Sequence, residues 1–139
     1  MFDKNRWLNI KDIKLINQKE QNFLKIFKLF LGCKYKWGGK TFNGIDCSAL
    51  IQIFYQYNKK YYPRDTKDQI KYSKKNLKRK NFKKGDLIFW KGHVAVCINS
   101  TKLFHAYGPK KRVIIVPIRK TIDLIEKTAN LRVRKISRI

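Results

Sequence analysis

At 139 residues, with 43% apolar and 14% aromatic residues, the chain reads as one domain, 1–139, long enough to bury a core without staples. Its net charge of +25, from 34 basic against nine acidic residues, favours polyanions such as nucleic acid, acidic wall polymers or anionic lipid. No apolar run reaches the roughly 18–20 residues that cross a bilayer, and no zinc-finger, phosphate-loop or RNA-binding aromatic signature accompanies the charge.

The opening "MFDKNRWLNIKDIKL" lacks the apolar stretch and cleavage site of a secretory leader. The expected location is therefore the cytoplasm, or the cell wall or periplasm if another route exports it. "NQKEQNFLKIFKLFLGC" has apolar residues at helical spacing and predicts a helix over about 18–31. "KYKWGGKTFNGID", broken by three glycines, reads as loop. "CSALIQIFYQY" is apolar nearly all round, a buried helix. "PRDTKDQIKYSKK" opens a short helix in which Thr66 and Gln69 match a capping box. The basic stretch "KKNLKRKNFKK" (74–84) reads as a solvated loop, with non-specific polyanion binding the consequence of so many lysines. Five short β-branched and aromatic segments follow: "DLIFW", "HVAVCI", "KLFHAY", "RVIIVPI" and "NLRVRKI", with a helical turn in "RKTIDLIEKT". Helices first and an antiparallel meander of about five strands after them make an α+β fold. Nothing in the pattern bears on oligomeric state.

Three cysteines without paired spacing make no disulfide framework and fit a reducing compartment. Cys47 follows Asp46 at a helix start, where free N–H groups and the helix dipole lower a thiol's pKa. A small buried core residue is the plain alternative. The two histidines, His93 and His105, fall on adjacent strands joined around "NST". A loop centred on Asn99 sets them opposite, and one centred a residue later sets them diagonal on one face, within roughly 4.5–8 Å either way. Alternation also brings Cys97 to that face, but no metal-type spacing supports a zinc site, and no metal or cofactor is expected. The chemistry that uses a thiol, an imidazole and an orienting polar group is acyl transfer, with Cys47, His93 and His105 in those roles. That pairing predicts alkylation of Cys47 well below the pH of a free thiol.

"YKWGG", "GIDCSALIQIFY", "PRDTKDQ", "KKGDLIFWKGHVAVCI" and "KLFHAYG", in order over about 20–118, resemble the NlpC-type cysteine peptidases, the papain-like peptidoglycan hydrolases of bacteria. The resemblance implies Cys47 as nucleophile, His93 as base and His105 as the orienting residue, on a helix packed against an antiparallel sheet. It further implies cleavage of peptidoglycan stem peptides between γ-D-glutamate and a diamino acid. Tyr35 matches a family tyrosine beside the nucleophile, an oxyanion and substrate contact, with the Cys47 N–H as a second oxyanion donor. Asp46 and Ser48 match positions that bind the free amino end of L-Ala-γ-D-Glu in some members, and Arg64 and Thr66 match the block that follows. Trp37, Gly38 and Gly39 are expected to shape the loop, and Cys33 and Cys97 to be structural. Ala49 stands where the family has glycine, and no accessory wall-binding domain accompanies the motifs. Two other readings remain: an N-acetylmuramoyl amidase or acyltransferase on the same fold, and a basic polyanion-binding module on an inactive scaffold.

Overall fold

The computed structural model describes residue 9 and residues 17–77 and 81–139. The reading of the opening segment as leaderless, and the middle of the basic stretch at 78–80, fall outside the described residues. No helix among the described residues is long and apolar enough to cross a membrane.

The first helix, α1 (Phe23–Lys28), is shorter than its periodicity predicts because both ends are tied elsewhere. Glu20 exchanges hydrogen bonds with the Asn58 side chain, which holds residues 20–22 extended, and the Asn22 side chain then accepts from the Leu24 N–H as N-cap. At the other end Gly32 turns the chain at φ +82° and donates to the Val113 carbonyl. Phe23, Ile26 and Phe27 bury one face, and Phe27 packs near Phe54 and Phe104.

The glycine-rich segment expected as loop carries a two-residue hairpin, β1 (Lys40–Thr41) and β2 (Gly44–Ile45). Glycine allows it: a Cβ on Gly39 would stand 2.3 Å from the Gly44 carbonyl oxygen, too close for any side chain. Helix α2 (Cys47–Tyr57) follows directly, its first six residues buried. Helix α3 (Thr66–Tyr72) forms as expected, but its capping box does not. Asp65, one residue earlier, is the N-cap, and Gln69 is drawn inward to donate to the Ser48 and Pro63 carbonyls. The Lys135 ammonium closes the other end of α3 on the Ile70 and Ser73 carbonyls.

The strands β3 (Asp86–Trp90), β4 (His93–Cys97), β5 (Lys102–Tyr107), β6 (Arg112–Pro117) and β7 (Lys135–Arg138) form one antiparallel sheet, ordered β6-β5-β4-β3-β7. This is not a plain meander. After β6 the chain forms α4 (Ile118–Ala129), a full helix rather than the expected turn, and returns to the far edge to pair with β3. Ile118, Thr121 and Ile125 give α4 a buried stripe at helical spacing, and Asn130 at φ +53° ends it. The buried Asp86 binds Arg138 at 2.9 Å and so clamps β7 to β3. Helices on one face of an antiparallel sheet and α4 on the other make the α+β fold expected. Leu87, Phe89, Val94, Val96, Phe104 and Ala106 meet α1 and α2, while Ile88, Trp90, Ala95, Cys97, Leu103 and Tyr107 meet α4. Both faces are covered, which is why the strands read as continuous apolar runs.

Candidate active site

Asp46, in extended conformation, caps α2 by accepting the Ala49 N–H at 2.8 Å, so Cys47 is the first helical residue. Its sulfur lies 4.0 Å from the Gly92 carbonyl oxygen and 3.9 Å from the Thr66 hydroxyl. Burial raises the Cys47 thiol pKa and the Asp46 charge adds to that, while hydrogen bonds from Val94, Thr66 and Ser48 work the other way. Cys47 is therefore set against the backbone on both sides of His93, Gly92 before it and Val94 after it.

The register decides between the two arrangements of the histidines. Val96 faces Phe104 and Cys97 faces Leu103, so the hairpin centres on Ser100 and the histidines are diagonal neighbours. His93 Nε2 lies 3.0 Å from His105 Nδ1. The ring nitrogen of His93 left for a thiol is then Nδ1. Burial lowers the His93 pKa to about 4, and burial together with His93 lowers that of His105 further. Burial thus favours the uncharged form of the thiol and of both imidazoles. This direction is opposite to the low-pH alkylation expected from the sequence, because the helix start that favours a thiolate is buried. His105 stacks on Tyr107 at 4.6 Å between ring centroids, and its buried Nε2 has no partner among the described residues. Cys97 is buried on the same face, and no group of three metal-ligating side chains occurs among the described residues.

A cavity of about 360 Å³ opens over the cysteine and brings together Tyr35, Asp46, Cys47, Ser48, Arg64 and Thr66, all of the candidates outside the histidine pair. Trp37 lines it too, 81% exposed, so this indole stands at the mouth rather than packing under the loop. Asp65 and Lys67, which the motif reading passed over, stand on its rim. The signal for Asp65 was its place directly after Arg64 in "PRDT".

Asp46 is fully engaged. Its carboxylate accepts from Gly38 N, Ala49 N and Ser48 Oγ, and takes both Arg64 Nη atoms at 3.0 and 2.6 Å. Five donors occupy the roughly four lone-pair sites of a carboxylate. Gly38 reaches it from φ +73°, a conformation glycine adopts without strain. Arg64 also donates to Ser48 Oγ at 2.9 Å. Tyr35 is held by its N–H on the Lys111 carbonyl, and its ring rests on Gly108, where a Cβ would come within 3.4 Å of Cε1. Burial and the nearby Cys47 and Asp46 raise the Tyr35 pKa, which keeps its hydroxyl a hydrogen-bond donor.

An α+β scaffold with a cysteine at a helix start packed on an antiparallel sheet that carries a histidine pair on adjacent strands is the papain-like layout. Within it the chain belongs to the NlpC/P60 family, whose model matches residues 32–129. It is 33% identical over 113 residues, 76% of its length, to the Gamma-D-glutamyl-L-lysine dipeptidyl-peptidase of Bacillus cereus. It is 34% identical over 86 residues, 62% of its length, to Dipeptidyl-peptidase 6 of Lysinibacillus sphaericus. A crystal structure of a Bacillus cereus NlpC/P60 family protein superposes with a TM-score of 0.74 at 28% identity, covering 95% of this chain and 46% of that one. The chain spans 33% and 32% of the length of the two curated relatives.

Proposed function

We propose that this domain is a thiol endopeptidase of peptidoglycan stem peptides, cutting the bond between γ-D-glutamate and the following diamino acid. One observation carries the reading: Cys47 abuts Gly92 and Val94, the residues flanking His93, while His93 is held by His105 at 3.0 Å. The name of the Bacillus cereus relative supports the choice of bond.

Cys47 gives its proton to His93 Nδ1 as its sulfur bonds to the scissile carbonyl carbon. The oxyanion forms facing the Cys47 N–H and the Tyr35 hydroxyl, both preorganised donors. His93 passes the proton to the leaving nitrogen, the C–N bond breaks, and a thioester remains. Water, losing a proton to His93, releases the acid and restores the thiol. His105 accepts from His93 Nε2–H and fixes that tautomer. Neutral at rest, the pair avoids the desolvation of two buried charges, and charge develops only as substrate reacts.

Asp46, Ser48 and Arg64 build the wall of the acyl side, since an incoming ammonium finds no free lone pair on Asp46. Asp65, exposed at the rim and making no capping bond to α3, is the carboxylate there for an amino end. Mass spectrometry of defined muropeptides and free tripeptides, with Cys47→Ala beside wild type, tests the proposal. Cleavage after γ-D-glutamate that the substitution abolishes is the expected result. Sugar released from intact peptide would instead assign an amidase, and salt-sensitive polyanion binding with no cleavage would assign a binding module.

A further inference from the structure

The nucleophile's cavity is only one side of the site. A second cavity, of about 580 Å³, lies beyond Gly92 between the sheet and α4, and His93 lines it. Gly92 and Tyr35 line both. Gly92 turns at φ +74° and a Cβ there would meet nothing within 4 Å, so the ridge between the cavities is bare backbone. An extended chain can lie across it.

We propose that this second cavity is the leaving-group subsite, and that it binds the fragment carboxy-terminal to the scissile bond through that fragment's free carboxylate. The inference rests on the endopeptidase reading above. In that chemistry the imidazole that protonates the leaving nitrogen must face it, and His93 lines the second cavity while Cys47 lines the first. The acyl part and the leaving part therefore separate at Gly92.

The two sides also differ in charge. Asp46 and Asp65 line the first cavity, mixed with Arg64 and Lys67. Lys91 and Lys110 line the second, with no carboxylate beside them among the described residues. The two lysines come from separate elements, the β3–β4 turn and the short 3₁₀ segment Gly108–Lys110. Both are exposed and rotamer-free enough to reach a carboxylate. Facing them, α4 presents Leu124, Ile125 and Ala129, and Leu124 is left 43% exposed. The apolar wall fits the aliphatic stem of the leaving diamino acid, and the cations at the rim fit the carboxylate that ends the fragment. The polarity of the whole groove then orients substrate, amino end toward Asp65 and carboxyl end toward the lysines.

The test uses the full chain and paired stem tetrapeptides that differ only in a terminal carboxylate or carboxamide. The amide should raise KM roughly three- to tenfold, the range for two solvent-exposed ion pairs, with kcat little changed. Replacing both lysines, Lys91→Ala with Lys110→Ala, should raise KM for the acid by a similar factor and bring the acid-to-amide ratio near one. Lys74→Ala with Lys75→Ala, which removes the same charge from the exposed surface elsewhere, should leave the ratio unchanged. Equal KM values for acid and amide in wild type, or a ratio that moves equally in both double variants, would overturn the subsite. If neither peptide is cut, the endopeptidase reading itself fails, a distinct outcome.

Discussion

The Asp46 cluster and the histidine pair are both polar groups largely withdrawn from solvent, yet they are built in opposite ways. Around Asp46 every oxygen is bonded, with two backbone N–H groups, one hydroxyl and a bidentate guanidinium on a single carboxylate. Around His93 and His105 the described residues supply one mutual hydrogen bond, and His105 Nε2 and the neighbouring Trp90 Nε1 find no partner among them. A saturated network has one arrangement and holds position. A sparsely bonded, desolvated imidazole keeps a proton site free to change. On the proposed mechanism, the first would fix the helix that starts at Cys47 and the second would move protons.

Substitutions should divide along that line. The largest effect on turnover falls on Cys47→Ala and His93→Ala, each losing about ten-thousandfold or more in kcat/KM on a defined tripeptide with the fold intact. His105→Ala should lose about a hundredfold, because it orients His93 without touching substrate. Equal tolerance of the two histidine substitutions would dissolve the pair as a functional unit.

Stability should respond the other way. Arg64→Met leaves the Asp46 carboxylate, 8% exposed, without its counter-ion and should cost about 3 kcal/mol in denaturant unfolding at unchanged m-value. His105→Phe removes the Nε2 that has no partner among the described residues but also the Nδ1 that accepts from His93, and should cost less, about 1–2 kcal/mol. An Arg64→Met protein as stable as wild type would show the cluster to be incidental.

The pH dependence follows from the lowered histidine pKa values. An unfolded histidine titrates near 6.5, and His93 in the fold near 4, so between these values the unfolded chain binds more protons. The stability from the neutral buried ring is complete above pH 6.5 and is lost as pH falls toward 4. His93→Gln should flatten that slope, and the acid limb of kcat/KM for wild type should lie near 4 rather than 6.5. Cys47 alkylation in the free protein should accelerate only above the ordinary thiol range, since burial is the largest influence on its pKa. A plateau below pH 7 would instead mean a preformed thiolate–imidazolium pair.

The smallest effect is expected at Gly108→Ala. An added methyl at 3.4 Å from the Tyr35 ring shifts the hydroxyl by a fraction of an ångström and should lower kcat a few-fold. Tyr35→Phe in the same background should then cost no more than it does in wild type if the ring is the route.

Sequence alone determined what depends on local chemistry and period. The Asp46 cap, the buried helix behind Cys47 and the apolar strands were legible because capping, helical spacing and β-branched runs act within a few residues. The nearness of His93 and His105 was legible because one short hairpin joins them, although only the pairing of Val96 with Phe104 chose the diagonal arrangement. Tertiary structure decided the rest. α1 stops short because Asn58, 38 residues away, holds its leading segment, and β7 reaches the far edge because α4 carries the chain across the sheet. The pairing of Asp46 with Arg64, 18 residues on, follows from the chain folding back and no local pattern announces it. The Cys47 pKa turned upward because burial, a property of the whole packed fold, outweighs the local field of a helix start.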